Sequence, residues 1–150
     1  MADEQDDPLD TETLRSLAEL VLVEEGFAPD TEMTLFFVSD EVIADYNSRF
    51  MQRVGPTDVL AFPLEHLQPG VVPERVRNGP PVILGDVFIA PSYVSAQAGT
   101  NGISFDDEIA LMVVHGILHL LGYDHGGDEV AEQMEERERR LLQLVGRTRA

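Results

Sequence analysis

The chain contains no cysteine, no lysine and no tryptophan, and its 28 acidic residues face only ten basic ones, all arginine. Without cysteine there are no disulfides and no thiolate ligands, so a bound metal must be held by imidazole and carboxylate. A formal charge of −18 at pH 7 excludes a generally adhesive nucleic-acid binder, because phosphate affinity rests on clustered basic side chains. Long apolar runs are also missing. No stretch is long enough to cross a bilayer, and no basic segment followed by an apolar one opens the sequence, so the expectation is a cytoplasmic protein without membrane contact.

With 150 residues, 43% of them hydrophobic, and no internal repeat, the chain reads as one domain with an adequate core. Six acids and no base fall within Met1 to Glu12, which predicts a solvated acidic arm over 1–12 ahead of a single domain over 13–150. Half of the arginines sit in the last fourteen residues: Arg137, Arg139, Arg140, Arg147 and Arg149. Glu135 with Arg139 and Glu136 with Arg140 are spaced as i,i+4 pairs on an outer helix face. Arg147 and Arg149 are left as a candidate contact patch.

Three of the four histidines lie in one short stretch, His115-Gly116-Ile117-Leu118-His119-Leu120-Leu121-Gly122-Tyr123-Asp124-His125. Residues i and i+4 of a helix project from one face about 6 Å apart along the axis, so His115 and His119 can address a single point. Gly122 allows the left-handed turn that ends a helix and could return His125 toward that point. Three imidazoles leave one tetrahedral position open for water, as in a catalytic rather than a structural zinc site. The surroundings favour this over ordinary core histidines. From Ile109 to Leu121 the sequence is apolar on nearly every face, and unpartnered buried imidazoles would each cost about 1–3 kcal/mol. One zinc ion per chain, held by His115, His119 and His125, is the expected cofactor.

Around this buried helix the patterning predicts an α+β domain in which helices pack on a small mixed sheet. Leu14, Leu17 and Val21 mark a first helix, and Thr31 to Val38 a strand. Ser39 caps a second helix with Val42, Ile43, Tyr46 and Phe50 inward. Asp58 to Phe62 and Val82 to Ile89 read as strands, separated by an excursion with five of the nine prolines, a candidate flap. Ser104 caps the histidine helix, with Asp107 at the capping-box position. Val130, Met134, Leu141 and Val145 face inward on a last helix. Asp86 stands out as an acid within an apolar strand.

The histidine spacing and the following glycine are similar to the HExxHxxGxxH pattern of metzincin proteases, except that Gly116 replaces the glutamate general base. The full string HGILHLLGYDH, with Gly-Pro-Thr-Asp-Val-Leu-Ala-Phe-Pro at 55–63 and Leu-Gly-Asp-Val at 84–87, resembles the YbeY family of bacterial endoribonucleases over roughly residues 30 to 145. That resemblance implies a zincin-like fold with His115, His119 and His125 as zinc ligands. It also implies single-strand-specific cleavage of RNA in ribosomal RNA maturation, notably at the small-subunit 3′ end, and ribosome quality control. The implied partners are ribosomal RNA, the small ribosomal subunit and ribosome-associated proteins.

Two departures from the family stand out. Met51 occupies the position of a common arginine, and Ala61 that of a frequent serine. Arg49 or Arg53 is then the candidate for the substrate phosphate. Asp86 is the candidate for orienting water or accepting its proton, with bracing of a ligand histidine as an equal reading. Asp58 reads as fixing its turn through side-chain to backbone bonds, Asp124 as shaping the loop before His125, and His66 as a surface residue. Two further functions stay open: a metal-binding ribosome assembly factor with little cleavage of its own, and a zinc peptidase, against which Gly116 argues.

Overall fold

The computed structural model describes residues 2–3, 9–73, 79–124 and 127–149. The elements in chain order are β1 (Ala2–Asp3), α1 (Thr11–Glu24), β2 (Glu32–Phe37), α2 (Asp40–Met51), β3 (Val59–Pro63), β4 (Ile83–Ile89), α3 (Pro91–Asn101), α4 (Phe105–Leu120) and α5 (Asp128–Gln143). The α+β expectation holds. The sheet runs in the order β1-β2-β4-β3. β1, β2 and β4 are parallel, and β3 lies antiparallel to β4 at the edge.

Side-chain alternation along the strands divides the core into two layers. On one face Leu35, Phe37, Val87 and Ile89 meet α1 and α4. α4 is the central helix, touching α1, α3, α5, β3 and β4. This is why it is apolar nearly all round: Val113, Val114, Ile117, Leu118 and Leu120 have no exposed surface. On the other face Phe36 stacks on Phe88 with centroids 4.7 Å apart, and α2 lays Ile43 and Tyr46 across them.

The helix starts follow the expected capping chemistry. Ser39 Oγ accepts from Val42 N at 3.2 Å and Ser104 Oγ from Asp107 N at 3.1 Å. α1 is capped in the same way by Asp10, which accepts from both the amide and the hydroxyl of Thr13.

The structure corrects the sequence reading at several positions. In α2, Val42 and Phe50 are exposed, because Ile43, Tyr46 and Asn47 form the inward i, i+3, i+4 row. In the last helix Val130 and Val145 are exposed, and Glu138 takes an inward place beside Met134, Leu141 and Leu142. The acidic stretch at the start of the chain is more than a solvated arm. Ala2 and Asp3 pair in register with Phe36 and Phe37, and Asp10 to Glu12 start α1. Arg147 and Arg149 are no free contact patch either, since both pair with acids of this chain. The two expected i,i+4 pairs of α5 are rearranged, with Arg139 bonding Glu136 and Glu135 facing Arg149.

Candidate metal centre and cleft

α4 carries His115 and His119 one turn apart, and their rings meet edge to face with centroids 4.6 Å apart. The two Nε2 atoms converge to 3.1 Å. Behind this pair, His115 Nδ1 lies 2.9 Å from Oε2 of Glu138 on α5, a carboxylate with no exposed surface. Since a carboxylate oxygen accepts, Nδ1 of His115 donates the hydrogen, and the Nε2 lone pair is turned toward His119.

This donor set fits zinc. Two nitrogens bound to one tetrahedral zinc at about 2.0–2.1 Å stand about 3.3 Å apart, close to the separation found here. A ligand histidine whose other nitrogen is held by a carboxylate is the usual outer arrangement of such sites. His125 lies outside the described residues, and among those described no third His, Asp or Glu completes a ligand set. Glu138 escaped the sequence reading because it sits in the run Glu135-Glu136-Arg137-Glu138-Arg139-Arg140, which looks like a solvated face. The available signal was its i+4 spacing from Met134, on the inward row.

The histidines open into a cleft of about 860 Å³ whose walls include Asn47, Met51, Arg53, Asp58, Ala61 and Asp124. Arg53 is the basic residue among its lining residues. Arg49, the other expected phosphate contact, does not line it; it pairs with Asp45 at 3.2 Å and lies over the Phe50 ring. Asn47 is buried, and its Nδ2 donates to the Gly55 carbonyl at 2.9 Å, which ties the Arg53-bearing loop to α2. Asp58 plays the expected turn role, accepting from Val59 N at 2.8 Å. His66 is exposed, as expected.

Asp86 is a correction. It pairs across the sheet with Phe62 and Thr34, and strand alternation puts its side chain on the opposite face of β4 from Val87. Val87 is the residue that meets α4 at Gly116. Asp86 therefore points to the α2 side of the sheet and is absent from the cleft lining. The apolar run around it hid this, because a strand buried on both faces shows no polar alternation to orient it.

The turn leaving α4 is held from two sides. Gly122 has φ +100°, and a Cβ on it would lie 2.1 Å from the carbonyl oxygen of Leu67, so the proline-rich excursion runs directly over the turn between the histidines. Next to it, buried Tyr123 donates to Glu25 Oε2 at 3.4 Å, and Glu25 also takes Nε of Arg137. Burial first, and the nearby Glu25 carboxylate second, push the Tyr123 phenol above its ordinary value.

The family model for endoribonuclease YbeY matches residues 1–146. The chain belongs to the endoribonuclease YbeY family. A YbeY relative from Thermobifida fusca is 44% identical over 142 residues, covering 95% of this chain and 90% of its own. One from Mycobacterium leprae is 37% identical over 130 residues, 87% and 72% of the two chains. Both carry the name endoribonuclease YbeY. A Thermotoga maritima protein known by its solution structure superimposes with a TM-score of 0.60 at 25% identity, over 97% of this chain and 91% of its own. The YbeY fold thus supports a cleft built from α4, the α2–β3 loop and edge strand β3. No helix among the described residues is long and apolar enough to cross a membrane.

Proposed function

We propose that this protein is a zinc-dependent endoribonuclease that cuts single-stranded ribosomal RNA during maturation, at the small-subunit 3′ end, and in ribosome quality control in the cytoplasm. Two observations of different kind support the reading: family membership and the 3.1 Å convergence of His115 and His119 Nε2 at the floor of an open cleft. The second carries the chemistry. His115 and His119 would hold the zinc, with His125 as the third ligand. When bound, zinc supplies Lewis-acid polarisation of a phosphoryl oxygen and activation of water near neutral pH.

The chain's own residues do the rest. Glu138 keeps the Nδ1–H of His115 engaged, so Nε2 presents a lone pair to the cleft. Arg53, at the cleft wall, pairs with a substrate phosphate in place of the arginine that Met51 replaces. The carboxylates facing the cleft are Asp58 and Asp124. Asp58 accepts within its own turn, and Asp124, a residue of the cleft wall next to His125, receives the proton released from the attacking water. With few basic side chains, binding to naked RNA is weak and salt-sensitive.

The test is cleavage of a labelled ribosomal RNA fragment by zinc-loaded protein, with casein in parallel and a chelator control for each. RNA should be cut only without chelator, and casein should stay intact. Chelator-insensitive loss of RNA, or cutting of casein, would overturn the reading. Metal uptake with no cleavage would assign the protein as a metal-binding assembly factor instead.

A further inference from the structure

The chain does not leave the fold at the end of α5. Gly146 adopts φ +73°, Arg147 N donates to the Leu142 carbonyl at 2.9 Å, and the chain turns back toward α4. Two contacts hold it there. Arg147 Nη1 lies 3.5 Å from Asp107 Oδ1, and Thr148 Oγ1 donates to Asp107 Oδ2 at 3.4 Å, in the first turn of the helix that carries His115 and His119.

Arg149 then reaches inward. Its Nε lies 3.4 Å from Oε1 of Glu138 and its Nη2 3.6 Å from Oε1 of Glu135. The two oxygens of the buried Glu138 carboxylate are thus divided, Oε1 toward Arg149 and Oε2 toward His115 Nδ1. The division matters because the terminal torsion of a glutamate is soft. A carboxylate held at one oxygen only can rotate; one held at both cannot without breaking a contact. Arg149 also lies close enough to the buried Glu108 on α4 to oppose the upward push that burial and Asp58 give that carboxyl. A single guanidinium therefore serves acids of α4, which carries the histidine pair, and of α5, which packs behind it.

We propose that Arg149 is a positioning residue for the metal centre, acting through Glu138 to keep the His115 ring oriented with Nε2 toward His119. The proposal rests on the reading of this pair as a metal site. Arg149 is not among the residues that line the cleft, and its contact with Glu138 carries its effect on affinity and ring state to His115.

The test compares full-length wild type with Arg149→Gln, Arg149→Ala and Arg149→Lys, and with Arg139→Ala as a control at a surface arginine that pairs with Glu136. Two quantities are measured: zinc affinity by competition with a chromophoric chelator, and the imidazole ¹⁵N resonances of His115 in zinc-free protein, which report the tautomer. Loss of an outer partner of a metal ligand costs about 10–100-fold in affinity. Arg149, one contact further out, should cost about tenfold in the Gln and Ala variants. The same variants should show His115 departing from the Nδ1–H form, with Lys restoring most of both signals and Arg139→Ala changing neither. If wild type binds zinc and the Gln variant matches it in affinity and in His115 resonances, the proposal is overturned while the metal reading stands. If wild type takes up no zinc, the metal reading falls. The zinc-free resonances then decide the remainder, and an unchanged His115 tautomer in Arg149→Gln rejects any control of His115 by Arg149.

Discussion

A Cβ on Gly116 would lie 2.5 Å from Cγ1 of Val87. The residue that removes the protease base from the histidine motif is therefore also the point at which α4 rests on β4. Val59 Cγ2 closes the same spot at 3.1 Å. Alanine in a helix is worth about 0.5–1 kcal/mol over glycine, but overpacking a buried contact costs about 1–3 kcal/mol. Gly116→Ala should accordingly lower stability in urea unfolding, and should do so less in a Val87→Ala background, where space has been made. A more stable Gly116→Ala protein would show that α4 shifts freely on the sheet. Glutamate here would meet the same wall, so a peptidase base cannot be restored by this substitution alone.

Glu138 is the fixed support behind His115. Glu138→Gln keeps the volume and removes the charge, so zinc affinity should fall by about 10–100-fold, the usual effect of losing the partner of a ligand histidine. Competition titration against a chelator measures it directly. Cleavage of RNA should recover when zinc is raised, because the ligands themselves remain.

Asp86 should be dispensable for the chemistry. It lies on the α2 side of β4, and alternation keeps it away from α4. Asp86→Asn is expected to leave zinc affinity and the cleavage rate within about twofold of wild type, against the factor of about 10²–10⁴ lost with a general base. A loss of that larger size would return Asp86 to the mechanism. Asp124→Asn is the variant expected to show it.

Glu108 contributes a pH dependence of definite sign. Burial first, then the charge of Asp58, raise its carboxyl above the ordinary value of 4.5. In the window between the ordinary and the raised value the folded state holds a proton that the unfolded chain has lost, so stability falls as pH rises through it. Glu108→Gln lacks this term. Urea midpoints should show the variant gaining on wild type as pH climbs through the window, with a constant difference below it. A variant that loses ground to wild type as pH rises through the window would mean that Arg149 outweighs burial and Asp58.

Several features of this protein are written in local sequence. The His115 and His119 pair, the serine caps at Ser39 and Ser104, the strand runs and the apolar character of α4 all follow from periods of two and 3.6 residues and from backbone bonding within a turn. Such signals span a few residues, so they can be read without knowing where the chain goes next. The pairing of His115 with Glu138 spans 23 residues, and Arg149 joins it only because the chain reverses at Gly146. The charged run of α5 has one acid pointing inward, and only packing against α4 selects Glu138 rather than its neighbours. Asp86 shows the converse. Its residue type suggested chemistry, but which face of β4 it occupies depends on pairing with Thr34 and Phe62, and a one-residue change of phase moves a side chain to the other side of a sheet. The sequence by itself determined the two imidazoles and the helix that aligns them, since both are set within one turn. The tertiary structure alone decided which carboxylate stands behind them and which stands apart, since that is a matter of long-range packing.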